Sequence, residues 1–292
     1  MRFYGSFSPL GLLGAITLLL VGCSATQIAY KNADSLLTRY AVSELDLNRE
    51  QKQQLGTRLG EWMVWHRSEQ VPVLHARLSA VQRAVADGMD HQEAAWLIAT
   101  ARGTYREVLA GLNPISVDTL LSLSDEQIGK LQDSFQDDNQ EFREDVLAGD
   151  PVERREDRFE WFSKQLERWI GDLTDPQSDW LRMQLQRYPS TADQWLVYRQ
   201  RQQSQLLDLL RQRGERSDLL GFLNGWIIER RGLPERYAHS RQRIYAELPE
   251  RLVELDQLLT QRQRRHLVKR IQFFEEVVAS LILVPEAQAR GD

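Results

Sequence analysis

Leu47-Asn48-Arg49-Glu50-Gln51 decides how the chain is read, because the same five-residue pattern returns three more times. It recurs as Leu123-Ser124-Asp125-Glu126-Gln127, as Leu173-Thr174-Asp175-Pro176-Gln177 and as Leu259-Thr260-Gln261-Arg262-Gln263. Each copy reads as a capping box. Asn, Ser or Thr accepts from a backbone N–H of the first helical turn, and the glutamine three residues on reaches back to the cap N–H. Pro176 at the second helical position suits a helix start, as do Glu50, Asp125 and Glu126 in the first turn. A leucine stands four residues after each glutamine (Leu55, Leu131, Leu181 and Leu267), where the buried stripe of an amphipathic helix begins. The pattern predicts four capped helices and an all-α protein.

The rest of the chain fills in around these starts. Leu55, Leu59, Trp62 and His66 share a stripe, and Leu74, Leu78, Val81 and Val85 continue it, so Pro72 is expected to kink the helix rather than stop it. Asp90 with Glu93 caps a helix to about Gly111, and Asn113-Pro114 predicts a turn before the second motif. Asp150 opens a helix carrying Phe159, Phe162, Leu166 and Trp169. Ser190 opens a Gln/Arg-rich helix to Gly214, Ser217 caps a shorter one, and Pro234 opens another that Pro249 is expected to break or kink. Leu267, Ile271, Phe274, Val278 and Leu281 form the last stripe. The expectation is an elongated helical bundle of about ten helices. Copies one and three stand 126 residues apart and copies two and four 136, which suggests two similar helical halves, 47–170 and 171–292. The alternative is a single array of ordinary caps.

Composition agrees with this class. Of the 292 residues 42% are hydrophobic, and only 17 glycines and 9 prolines punctuate the chain. The net charge of −5 gives no nucleic-acid footprint. The five histidines (His66, His75, His91, His239 and His266) have no metal-ligand spacing, and no phosphate loop or nucleophile motif appears. The sequence therefore predicts no enzyme, cofactor or metal.

Leu20-Val21-Gly22-Cys23 ends an apolar run from Leu10 to Val21 that is too short to span a bilayer comfortably. It resembles the bacterial lipobox, whose cysteine is acylated as the signal is removed. That resemblance implies a signal peptide at 1–22, lipid attachment at Cys23 and a lipidated N-terminal helix or tether at 23–46. Cys23 is the sole cysteine, as a thiol committed to lipid would be. With Ser24 following, the resemblance implies an outer-membrane lipoprotein on the periplasmic face. Tyr30-Lys31-Asn32-Ala33 with Leu36-Leu37-Thr38-Arg39 resembles the opening of a family of uncharacterised proteobacterial lipoproteins, which implies no chemistry.

Two surfaces stand out as contact candidates. Trp62 and Trp169 fall on leucine stripes and are read as core, whereas Trp65 and Trp161 fall off them and are candidates for a contact surface. From Asp133 to Asp157 there are ten acidic residues against three basic, and from Arg199 to Arg270 sixteen basic against nine acidic. Either these regions face each other, or Arg199, Arg201 and Arg211 present guanidinium groups to an anionic partner. The Leu-Thr-x-x-Gln string of copies three and four is similar to the motif of Spy-type periplasmic chaperones, which implies a helical protein that shields clients. Two functions are expected to compete: a lipid-anchored, non-catalytic protein binder of chaperone or adaptor kind, and a structural lipoprotein contacting head groups or cell wall.

Overall fold

A computed structural model describes residues 28–282; Cys23 and the segment 1–22 lie outside the described residues. Eleven α-helices and no strand occur among those described. α1 (Ala33–Leu45) turns at Asp46, whose left-handed backbone redirects the chain into α2 (Arg49–Trp65). A π-helical turn, His66–Gln70, joins α2 to α3 (Val71–Ala86) without a break. Residues 49–86 thus make one helical rod about 57 Å long at 1.5 Å per residue. Pro72 has no N–H to give, and the π turn just before it, closed by Val71 N–H to the His66 carbonyl, is where the helix absorbs that loss.

α4 (His91–Leu121) runs back beside the rod. It is capped by Asp90 and Glu93 as expected, but the turn expected at Asn113-Pro114 is absent and the helix passes through Pro114. An interior proline costs about 3 kcal/mol. The flanks offset it: Val117 is fully buried, and buried Asn113 donates to Asn224 Oδ1 at 2.7 Å. α5 (Asp125–Phe142) follows, then a second π turn (Arg143–Leu147), α6 (Pro151–Ile170), α7 (Asp175–Arg187) and α8 (Ala192–Arg211). The next helix, α9 (Arg216–Leu223), is capped at Glu215 rather than Ser217 and runs into a third π turn (Asn224–Glu229). α10 (Glu235–Gln257) continues through Pro249, which is buried, where a break or kink was expected. α11 (Gln261–Ala279) closes the described chain.

Each motif copy sits at the connection between two consecutive helices: α1/α2, α4/α5, α6/α7 and α10/α11. The segments between the motifs cross over. α3 packs along α11, and α8 packs against α5, so each half gives a helix to the second motif helix of the other. The main core gathers Leu55, Leu123, Ile128, Leu131, Tyr198 and Trp226 from α2, α5, α8 and their neighbours. A smaller core joins Val71, Val277 and Leu281, with Tyr30 packed against it. Met89 N–H donates to Asp256 Oδ2 at 3.0 Å, and Arg264 bridges the Asp256 carboxylate and the Val85 carbonyl. This places the start of α4 beside the fourth motif, while its other end, about 46 Å away, meets the first two.

Candidate functional site

All four glutamines do more than cap. Each Oε1 accepts from its own cap N–H: Asn48, Ser124 and Thr174 at 2.9 Å, and Thr260 at 3.0 Å. Gln51 and Gln127 then bond each other through both side-chain amides, at 3.1 and 2.9 Å. Gln177 and Gln263 do the same at 2.9 and 2.8 Å. The remaining amide proton goes across the pair. Gln51 donates to the Ser122 carbonyl and Gln127 to that of Asp46, both at 2.7 Å. Gln177 donates to the Leu258 carbonyl and Gln263 to that of Asp172, both at 2.9 Å. In every case the accepting carbonyl lies five residues before the partner glutamine. Each amide thereby uses both protons and both lone pairs, which is what burial of a glutamine requires. All four are buried, Gln177 completely.

These are two clasps built on one plan, one at each end of α4. Leu47 and Leu123 are buried beside the first, whereas Leu173 and Leu259 are half-buried beside the second. Leu55, Leu131 and Leu181 enter the core as expected, and Leu267 is half-buried. A polar depression of about 290 Å³ lies over the first clasp, lined by Asp46, Asn48, Ser122, Ser124, Glu126 and the two glutamines. Its carboxylates, Asp46 and Glu126, are both paired with Lys130 and hold its pKa above the ordinary lysine value. Both glutamine amides are committed to each other, to the caps and to main-chain carbonyls, and both carboxylates to Lys130. The clasps tie the motif helix starts together in pairs.

The contact candidates divide. Arg199 is buried, which corrects its assignment to a contact surface. Its Nε donates to Asn139 Oδ1 at 2.8 Å, its Nη2 to the Asp138 carbonyl at 2.9 Å, and its guanidinium lies 5.1 Å from the Phe142 ring. Asn139 passes the chain on to Gln203 at 2.8 Å. The Arg-rich and acidic regions therefore do meet at the α5–α8 contact, but through amides and carbonyls. Arg201 and Arg211 are exposed, and Arg211 bonds Gln132.

Trp65 and Trp161 are exposed, each to 40%. Trp62 is half-buried against α4, where Gly111 leaves room for its ring. Trp169, expected in the core, is at the surface, where α11 covers only part of its ring.

That leaves α6 as the most aromatic exposed element. Trp161 and Phe162 meet edge to face at 4.8 Å, and Trp169 stacks obliquely on Phe274 at 5.6 Å. Arginines sit over the rings: Arg182 over Phe159 at 3.7 Å, Arg158 over Phe162 at 5.7 Å, Arg270 over Trp169 at 5.7 Å. Arg158 also donates to the Leu185 and Tyr188 carbonyls, tying α6 to the end of α7, and burial holds its pKa below the ordinary arginine value.

A second aromatic cluster was missed in the sequence. Tyr30 Oη lies 2.6 Å from His66 Nδ1, Trp62 stacks near His66 at 4.9 Å, and Arg67 reaches the Lys31 carbonyl and the Tyr30 ring. Burial pushes Tyr30 up to about 12, and burial with Arg67 lowers His66 from its ordinary value. Only the placement of His66 on the Leu55–Leu59–Trp62 stripe signalled that its ring turns inward.

A family model matches residues 43–224, a stretch that holds three of the four motif copies and all of α6; the family is one of unknown function, DUF6279. The chain belongs to that family. No curated protein and no solved structure matches it. Within this DUF6279 chain, no group of three His, Cys, Asp or Glu that would hold a metal ion occurs among the described residues, and no described helix is long and apolar enough to cross a membrane.

Proposed function

We propose that the protein is a lipid-anchored, non-catalytic helical module of the cell envelope, held through Cys23, that binds proteins along the outer face of α6. The observation that carries this reading is the row of Phe159, Trp161, Phe162 and Trp169 interleaved with Arg158, Arg182 and Arg270. Aromatic residues and arginine are the side chains enriched at protein–protein interfaces and their hot spots. The first third of α6, residues 151–157, is exposed on every side, so a partner has unobstructed access to that part of the helix. Arg182 is already oriented by Glu156 and Arg158 by the Leu185 carbonyl of α7, which lowers the cost of ordering these two on binding.

The Spy-type resemblance supports a chaperone-like action, and the clasps limit how far it carries. The glutamines that make the resemblance are turned inward on each other, so any client surface lies elsewhere on the molecule. The test compares wild type with a Trp161→Ser/Trp169→Ser variant in suppressing aggregation of an unfolded substrate and in recovering crosslinked envelope proteins. The proposal expects the variant to lose both at an unchanged melting curve. Full retention of both would remove α6 as the binding face.

A further inference from the structure

The outer stripe of α6 changes sign at its middle. Glu153, Asp157, Trp161, Lys164 and Arg168 follow one another at steps of four, four, three and four, which sets them on one face of the helix, and all five are exposed. The two charges before Trp161 are acidic and the two after it basic, so within each half like charges stand four residues apart and repel. The ion pairs of α6 are Glu160–Lys164 at 3.1 Å and Glu156–Arg182 at 2.9 Å, and Arg168 bonds the neutral Gln165. Among the described residues Glu153, Asp157 and Arg168 therefore meet no opposite charge. The helix dipole favours an acid in the first turn and a base in the last, which accounts for Glu153 and Arg168. Its reach ends before Asp157 and Lys164.

A stripe that is acidic at one end and basic at the other fits a copy of itself turned end for end. A two-fold axis crossing α6 between Glu160 and Trp161 sets Asp157 opposite Lys164 of the second copy. The same register sets Glu153 opposite Arg168 of the second copy. The axis repeats both pairs, so four unlike-charge contacts flank the two Trp161 rings at the centre. It also falls at the middle of the 20-residue helix, so two copies of α6 overlap over its whole length of about 30 Å. A central tryptophan within a polar border is the anatomy of an interface. We propose that two copies of this chain pair through antiparallel α6 helices. The proposal names the partner of the α6 face and rests on reading that face as a protein-binding surface. Phe162 and Trp169 stand about 80–100° round the helix from Trp161, outside the pairing stripe, and leave that flank to other proteins.

The test measures the mass of the full chain in a large excess of detergent micelles, so that a shared micelle joins no two copies. Wild type is expected at twice the mass of one chain. Glu153→Lys/Asp157→Lys makes the stripe wholly basic and Lys164→Glu/Arg168→Glu makes it wholly acidic. Each variant is expected to run as a monomer with an unchanged circular dichroism spectrum, and an equal mixture of the two to recover the doubled mass as one chain of each. On wild type mixed from two isotope labels, a carbodiimide, which condenses a carboxylate with a touching amine, is expected to join Asp157 to Lys164 between chains. A monomeric wild type, charge reversals that leave the doubled mass intact, or a dimer without that interchain link would overturn the pairing. Envelope adducts from a photoreactive residue at Trp169 report separately on the wider α6 reading. Their presence with a monomeric wild type would overturn the pairing alone, and their absence with a dimeric one would leave the second copy as the partner of α6.

Discussion

At the scale of single residues the account turns on glutamines that act at once as caps and as clasps. Losing an ordinary N-cap costs about 0.5–2 kcal/mol, so Thr260→Ala is expected to fall in that range. Gln177→Ala removes a reach-back bond and also strands the buried amide of Gln263, a penalty of about 1–3 kcal/mol for the orphaned group alone. Denaturant unfolding of Gln177→Ala, Gln263→Ala and the double variant is therefore expected to be non-additive, with the double costing less than the sum. Gln51→Ala with Gln263→Ala, in opposite clasps, is expected to add within about 0.5 kcal/mol.

His66 gives a residue-scale prediction of pH dependence. Its folded pKa is lowered by burial and by Arg67, so the folded state disfavours the protonated ring. The stabilisation tied to the neutral ring is fully present above the ordinary value near 6.5. It is lost as pH falls below that, until the depressed folded pKa is passed. Melting temperature is expected to drop through this window in wild type and to drop less in His66→Gln.

At the scale of elements, local chemistry was legible and long-range pairing was not. Capping boxes are written within four residues, and Asn48, Asp90, Ser124, Thr174 and Thr260 all begin helices where their sequences say so. Pro114 and Pro249 misled because a helix end was inferred from a local cost of about 3 kcal/mol that tertiary packing outweighs. Arg199 was taken for a surface cation, yet it occupies the stripe Trp195–Arg199–Gln202–Leu206–Leu210, whose helical spacing already marked it as inward. Trp169 erred the other way, since a stripe says which face is apolar and not whether a neighbour covers its full length.

The contact between α2 and α4 offers a test of packing against propensity. Gly111→Ala should gain up to about 1 kcal/mol of helix propensity. The added methyl, however, meets the Trp62 indole nitrogen. A net loss of about 1–3 kcal/mol is expected by chemical denaturation; a gain would mean that Trp62 is free to move aside.

At the scale of the whole molecule, the two clasped units are interlocked by the exchange of α3 and α8 and by the Asp256–Arg264–Val85 tie. They are expected to unfold in one calorimetric transition, and Asp256→Asn to lower its midpoint without splitting it. The spacing of the motifs pointed towards two halves, but no periodicity within one helix says which distant helix it will lie against, so the crossing over was not legible. The anchor belongs to this scale too. Cys23→Ser is expected to leave an uncleaved or soluble precursor, because acyl chains supply about 0.8 kcal/mol per buried methylene. Its persistence in the membrane fraction after signal cleavage would contradict the lipoprotein reading. The central claim, that α6 is a protein-binding face of an anchored module, is tested most directly by photocrosslinking in the native envelope, with a photoreactive amino acid placed at Trp161 in one strain and at Arg201 in another. The account predicts discrete protein adducts from position 161 and few from position 201; adducts from neither, or equally from both, would contradict it.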